Sequence, residues 1–147
     1  MQSKYLMTLT AAAGIFAGSV SAALGETQWV NVTDSRELKE LVSGKAIDGN
    51  YFTHFYRADG NMAYYYLASN SMTVRKWTIE DDGRLCSSVY SKPAHVIDCF
   101  TFQRASNDPN KYHIKNQTGA NSGDFVIFDT PPENLINAVN EKAGSMQ

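Results

Sequence analysis

From Lys45 onward the chain is a run of short alternating segments broken by turn residues. Asp59-Gly60-Asn61, Ser69-Asn70-Ser71 and Asp81-Asp82-Gly83 stand between them. Glycine accepts positive φ and Asp and Asn tolerate it, so each cluster is a tight reversal. The segments so bounded are Phe52 to Ala58, Met62 to Ala68, Thr73 to Glu80, Leu85 to Tyr90, Ile97 to Arg104, Lys111 to Lys115 and Asp124 to Phe128. Parallel pairing would need crossover connections of roughly a dozen residues or more, and there is no room for them. Consecutive strands must therefore pair as an antiparallel meander. About seven or eight strands at this spacing predict a mainly β fold, a small antiparallel barrel or a sandwich.

Side chains alternate between the faces of a strand. Phe52, His54, Tyr56 and Ala58 share one face, as do Met62, Tyr64 and Tyr66. Arg75 falls in phase with Trp77 and Ile79, Tyr112 with Ile114, and Phe125 with Ile127. Ahead of the strands, Glu26 to Val32 reads as an extended lead-in. Thr33 or Asp34 is then placed to cap a short N-terminal helix ending at Val42, with Glu37 where a capping-box acid reaches back. Leu38, Leu41 and Val42 form its apolar stripe, and Gly44 ends it. Thr130-Pro131-Pro132 breaks the last strand, and Pro132 to Val139 opens a short C-terminal helix. The tail over 141–147 is expected to be disordered.

Lys4, the apolar or small run Tyr5 to Val20, and Val20-Ser21-Ala22 have the form of a signal peptide,. Residues 1–22 are expected to be removed after Ala22. Their apolar core is too short and too rich in Ala, Gly and Ser to span a bilayer well. The mature chain is therefore expected to be periplasmic or secreted, with no stable membrane insertion. It divides into a lead-in over 23–32, one disulfide-stapled domain over 33–140 and the tail.

Cys86 and Cys99 are the only cysteines, and two cysteines in an exported chain normally pair. A hairpin centred on Lys92-Pro93 sets Tyr90 opposite His95, Ser88 opposite Ile97 and Cys86 opposite Cys99. Such a bridge suits a pair whose Cα atoms approach most closely. It would contribute about 3 kcal/mol by loop closure, and it argues against thiol chemistry. Phe100 and Phe102 fall on the face opposite Cys99, so the bridge is expected on the outer face with the two rings in the core, or the reverse if the barrel is strongly twisted or bulged.

The chemistry-bearing residues form no recognisable motif. His54, His95 and His113 are the only histidines. They lack the spacing of a zinc site, so no metal is expected, and they read as surface or partly buried strand residues. Glu80 to Gly83 lacks the alternating oxygens of a calcium loop. There is no Gly-x-Ser-x-Gly elbow in the mature domain and no phosphate-binding loop. No catalytic residue and no cofactor is expected. Of the 13 Lys and Arg, Lys4 leaves with the leader, so 12 remain against 15 Asp and Glu, a formal charge of −3. Without a basic stripe, nucleic acid is not an expected partner.

The aromatic residues are more suggestive. Tyr64-Tyr65-Tyr66 joins Phe52, Phe55, Tyr56 and Trp77. They read either as an aromatic core or as a cavity wall. In the second reading Tyr56, Tyr64, Tyr66 and Trp77 line a ligand site. Tyr65 must oppose its neighbours in either case.

Gly44-Lys45-Ala46-Ile47-Asp48-Gly49, Tyr56-Arg57-Ala58-Asp59-Gly60, Trp77-Thr78-Ile79, Asp82-Gly83-Arg84-Leu85-Cys86 and Cys99-Phe100 resemble a family of small exported alphaproteobacterial proteins of unknown function. The resemblance covers roughly Glu37 to Phe102. It implies a strand between Gly44 and Gly49, a β fold and an exported compartment. It brings no catalytic residues and no established ligand. Arg75 stands where the family pattern has a glycine before the tryptophan, an element that also resembles lipocalin-like barrels. The function expected is an exported, non-enzymatic barrel binding a small apolar or amphipathic ligand. The alternative is a protein-interaction module, such as an enzyme inhibitor or an envelope or host-interaction factor, presenting Lys92 to Val96, Ala105 to Asn110 and Asn116 to Gly123. A hydrolase is the third and least favoured.

Overall fold

The computed structural model describes residues 25–118 and 122–145. The expected leader and the last residues of the expected tail lie outside the described residues. The strands are β1 (Trp29–Asn31), β2 (Lys45–Gly49), β3 (Phe52–Tyr56), β4 (Asn61–Tyr66), β5 (Ser71–Ile79), β6 (Leu85–Val89), β7 (Lys92–Ala105), β8 (Asp108–Asn116) and β9 (Ser122–Phe128). The helices are α1 (Ser35–Val42) and α2 (Glu133–Gly144).

β2 to β9 pair antiparallel in sequence order, and β9 returns to β2 through Ala46 opposite Phe128 and Gly49 opposite Phe125. The result is a closed eight-stranded antiparallel barrel, not a sandwich. Closure leaves none of these strands as a free edge along the whole sheet. β1 lies outside the cycle. It pairs with Gln103 to Ala105 of β7, beyond Phe100, where β6 has ended. β2 is the strand that alternation did not mark and that the Gly44 to Gly49 resemblance did.

The cysteine hairpin turns earlier than expected. β6 ends at Val89 and β7 begins at Lys92, so the reversal is Tyr90-Ser91. Val89 pairs with Lys92, Ser88 with Val96 and Cys86 with Cys99. The expected pairs of Tyr90 with His95 and Ser88 with Ile97 are not made. Register shifts between Ser87 and Val89 make up the offset, and Pro93, which has no N–H for a ladder, falls within the extra residues. The bridge itself is present, with an S–S distance of 2.04 Å and Cα atoms 4.0 Å apart. Cys86 faces Thr78 across β5 on the outer face, while Phe100 and Phe102 are buried in the core.

α1 covers one end of the barrel. Asp34 caps it, its Oδ1 accepting from the Glu37 N–H at 2.7 Å. Glu37 does not complete a capping box. Its carboxylate accepts instead from the Arg104 guanidinium at 2.5 Å, which ties the helix to β7. Leu38 and Val42 are fully buried among barrel residues that include Trp77, Leu85 and Phe102. Gly44, just past the helix, has φ of 77° and donates its N–H to the Tyr56 carbonyl. α2 packs on the outside, where Leu135 and Val139 bury Phe55 and Ala63 together with Met72 and Val74. It runs to Gly144, further than the Val139 expected, so residues 141–144 belong to a helix and not to the tail. Arg57 of the β3–β4 turn donates to Asn140 at 2.6 Å and fastens α2 to the barrel.

Candidate functional site

The inward-facing side chains differ between the two halves of the barrel. Near α1 the interior is packed by Tyr56, Met62, Trp77, Leu85, Phe102 and Ile114, all buried. Trp77 packs edge-on to Tyr56 at 5.6 Å, and its indole N–H donates to the Arg57 carbonyl at 2.8 Å.

Towards the other end the inner wall becomes polar. Register places Tyr64 opposite His54 and Thr73, Arg75 opposite Met62 and Val89, and Asp98 opposite Ser87. Tyr64 and Tyr66 stack at 6.3 Å with 15° between their planes. Both face inward yet are partly exposed, so solvent reaches the interior from this end.

The four residues expected to line a ligand site therefore all point inward but do not form one wall. Tyr56 and Trp77 are core residues near α1. Tyr64 and Tyr66 stand nearer the opposite end. Tyr65 faces outward as expected, and its hydroxyl donates to Asn70 at 2.6 Å.

His54 is the residue that sequence reasoning misplaced. Expected on the surface or partly buried, it is 1% exposed. Phe52, Tyr56, Tyr64 and Phe100 surround its ring at centroid distances of 4.5 to 5.9 Å. Its Nδ1 shares a 2.7 Å hydrogen bond with the Tyr56 hydroxyl, while Nε2 is buried with no partner among the described residues. Burial, reinforced by the positive charge of Arg75, lowers its pKa to about 3, so the ring is neutral near pH 7. The signal was its phase with Phe52 and Tyr56 along the strand.

Arg75 is the only cation in this half of the wall that the register places inward. Its guanidinium carbon lies 5.0 Å above the Tyr64 ring, and one terminal nitrogen donates to Ser87 Oγ at 3.3 Å. Its Nε is buried and unpartnered. No carboxylate among the described residues comes within 4.0 Å of it. Asp98 instead accepts the N–H of Cys99 at 2.9 Å. Burial raises the pKa of Tyr64 against a downward pull from Arg75, and burial keeps Tyr56 protonated well above the ordinary range. The wall thus offers a fixed positive charge, a neutral imidazole and protonated phenols. It is rich in donors.

The described rim at this end carries exposed apolar side chains among its polar turn residues. Tyr51, Leu67, Val96 and Ile97 are each at least 46% exposed. Leu67 donates its N–H to the Tyr51 carbonyl at 3.0 Å, joining the β2–β3 and β4–β5 turns. By contrast, a cleft of about 520 Å³ outside the barrel, lined by Arg36, Lys39, Trp77 and Ile79 among others, has no unpartnered buried group facing it. Among the described residues no cluster of His, Cys, Asp or Glu is placed to hold a metal ion, and no helix is long and apolar enough to cross a membrane.

Fold and site together define a disulfide-bonded eight-stranded barrel with one helix-covered end and a polar-aromatic interior at the other. Comparison with protein-family models, characterised sequences and solved structures finds no match for the chain.

Proposed function

We propose that this chain is an exported, non-enzymatic barrel that binds a small apolar or amphipathic molecule in the half of its interior away from α1. The observation that carries this reading is the stacked pair Tyr64 and Tyr66, inward-facing yet partly exposed. Small barrels that take one ligand do so at such a mouth. The apolar side chains of the rim suit entry of an apolar body. The bridge between Cys86 and Cys99 suits an oxidising compartment. His54 is bonded to a phenol and not to a carboxylate or an aliphatic hydroxyl, which favours binding over general acid–base work.

Native mass spectrometry of the protein purified from its own host tests this directly. A bound small molecule is expected, and the mature mass should begin after Ala22. Titration with the neutral fluorophore N-phenyl-1-naphthylamine should show saturable binding that Tyr64→Ala weakens. No copurified molecule together with no saturable binding would overturn the proposal.

A further inference from the structure

Among the described residues three buried side-chain polar atoms have no partner, Arg104 Nε and two that adjoin Tyr64. His54 Nε2 is one of these two and Arg75 Nε is the other. The His54 ring lies 4.5 Å from the Tyr64 ring on the β3 side. The Arg75 guanidinium lies 5.0 Å from it on the β5 side. Buried donors and acceptors are almost always satisfied, and leaving a charged one unmade costs more than leaving a neutral one. Two such atoms on one ring, inside a barrel, point to an occupant.

The chemistry of that occupant follows from what the wall offers. Arg75 carries a full positive charge with no carboxylate within 4.0 Å among the described residues. Among the described residues its one side-chain hydrogen bond is a long one to Ser87. His54 shares its Nδ1 with the Tyr56 hydroxyl, and the tautomer that accepts there presents an N–H at Nε2. Burial favours the protonated form of the Tyr64 hydroxyl. Arg75, the Tyr64 hydroxyl and that tautomer of His54 can all donate to one ligand group. Asp98, the one inward carboxylate near these groups, is on β7, across β6 from Arg75, and is engaged by the Cys99 N–H. Its charge is also felt at Tyr64, and it opposes an anion that approaches from the β7 side.

Resting on the binding reading above, we infer that the ligand is an amphipathic monoanion, its carboxylate or sulfonate held at Arg75 beside His54 and Tyr64, its apolar body against Tyr66 and the rim. The packed half near α1 limits depth, so the body is small: a ring system or a short chain. A guanidinium suits this role because its rigid fork matches a planar anion. The buried rings around His54 lower the local polarity on that side and strengthen the pairing,.

Two fluorescent probes of nearly the same shape separate charge from apolar fit. They are 1-anilinonaphthalene-8-sulfonate and its neutral counterpart N-phenyl-1-naphthylamine. The disulfide-bonded protein is expected to bind the sulfonate about tenfold or more tighter than the neutral probe. Arg75→Gln should weaken the sulfonate about 10- to 100-fold and leave the neutral probe nearly unchanged. Arg75→Lys keeps the charge without the fork and should fall between. Near-UV circular dichroism verifies that each variant keeps its tertiary packing. If Arg75→Gln does not fold, the probe comparison on the native chain and Arg75→Lys still decide. Equal affinity for the two probes, or an unchanged sulfonate affinity in Arg75→Gln and Arg75→Lys, would overturn the anion site and leave the binding reading standing. Failure of both probes to bind, with no molecule copurified, would overturn both.

Discussion

His54 shows how one buried side chain makes stability depend on pH. In the unfolded chain it titrates near the ordinary imidazole value of 6.5, and in the barrel at about 3. Between these values the unfolded chain holds a proton that the folded chain does not. Stability is therefore full above about pH 6.5 and falls as pH drops towards 3, by on the order of 1 kcal/mol per pH unit from this group. Urea unfolding measured from neutral to acidic pH should show that slope, and His54→Gln should flatten it. Identical slopes in the two proteins would remove His54 as the source. The residue was legible only in part. Its phase with Phe52 and Tyr56 was visible, but phase does not say which face is inward. That answer came from β2 and β4, which flank it and set Ile47 and Tyr64 against it.

The elements depend on a few close approaches, and the β5–β6 turn is the tightest. Gly83 has φ of 77°, and a Cβ there would stand 2.3 Å from the Thr33 carbonyl oxygen. This turn therefore seats the segment that leads into α1. Gly44 has the same φ but open space around it. Gly44→Ala should cost about 1–2 kcal/mol, the left-handed conformation alone. Gly83→Ala should cost clearly more, because backbone must also move. Denaturant midpoints of the two variants measure the difference, and equal losses would mean that the turn does not brace α1. Turns were the most readable elements, since Asp59-Gly60-Asn61 and Asp82-Gly83 carry their own chemistry. At Asp59 the carboxylate accepts from the Asn61 N–H and from Arg57. The start of β7 was the least readable. Its offset is spread over register shifts that no local residue specifies, and Ile97 is left exposed by them.

At the scale of the whole molecule, antiparallel pairing and the pairing of Cys86 with Cys99 were legible. Closure was not, because the choice between barrel and sandwich depends on whether the first and last strands meet. They do meet, and that seam has a kinetic consequence. Every other pair of the barrel joins strands adjacent in sequence, whereas the β2–β9 seam joins residues about eighty positions apart, where loop closure is most costly,. Hairpins can form early and independently, and the cylinder can shut only after all of them exist. Ile47, fully buried and opposite Ile127 in the seam, should then make its contacts after the rate-limiting barrier. Ile47→Val is expected to speed unfolding and leave the folding rate nearly unchanged in stopped-flow urea jumps. A folding rate that fell in proportion to the lost stability would place the seam in the nucleus. Late closure also means that the interior stays accessible while the meander assembles, so a molecule present in that compartment could be enclosed as the barrel forms.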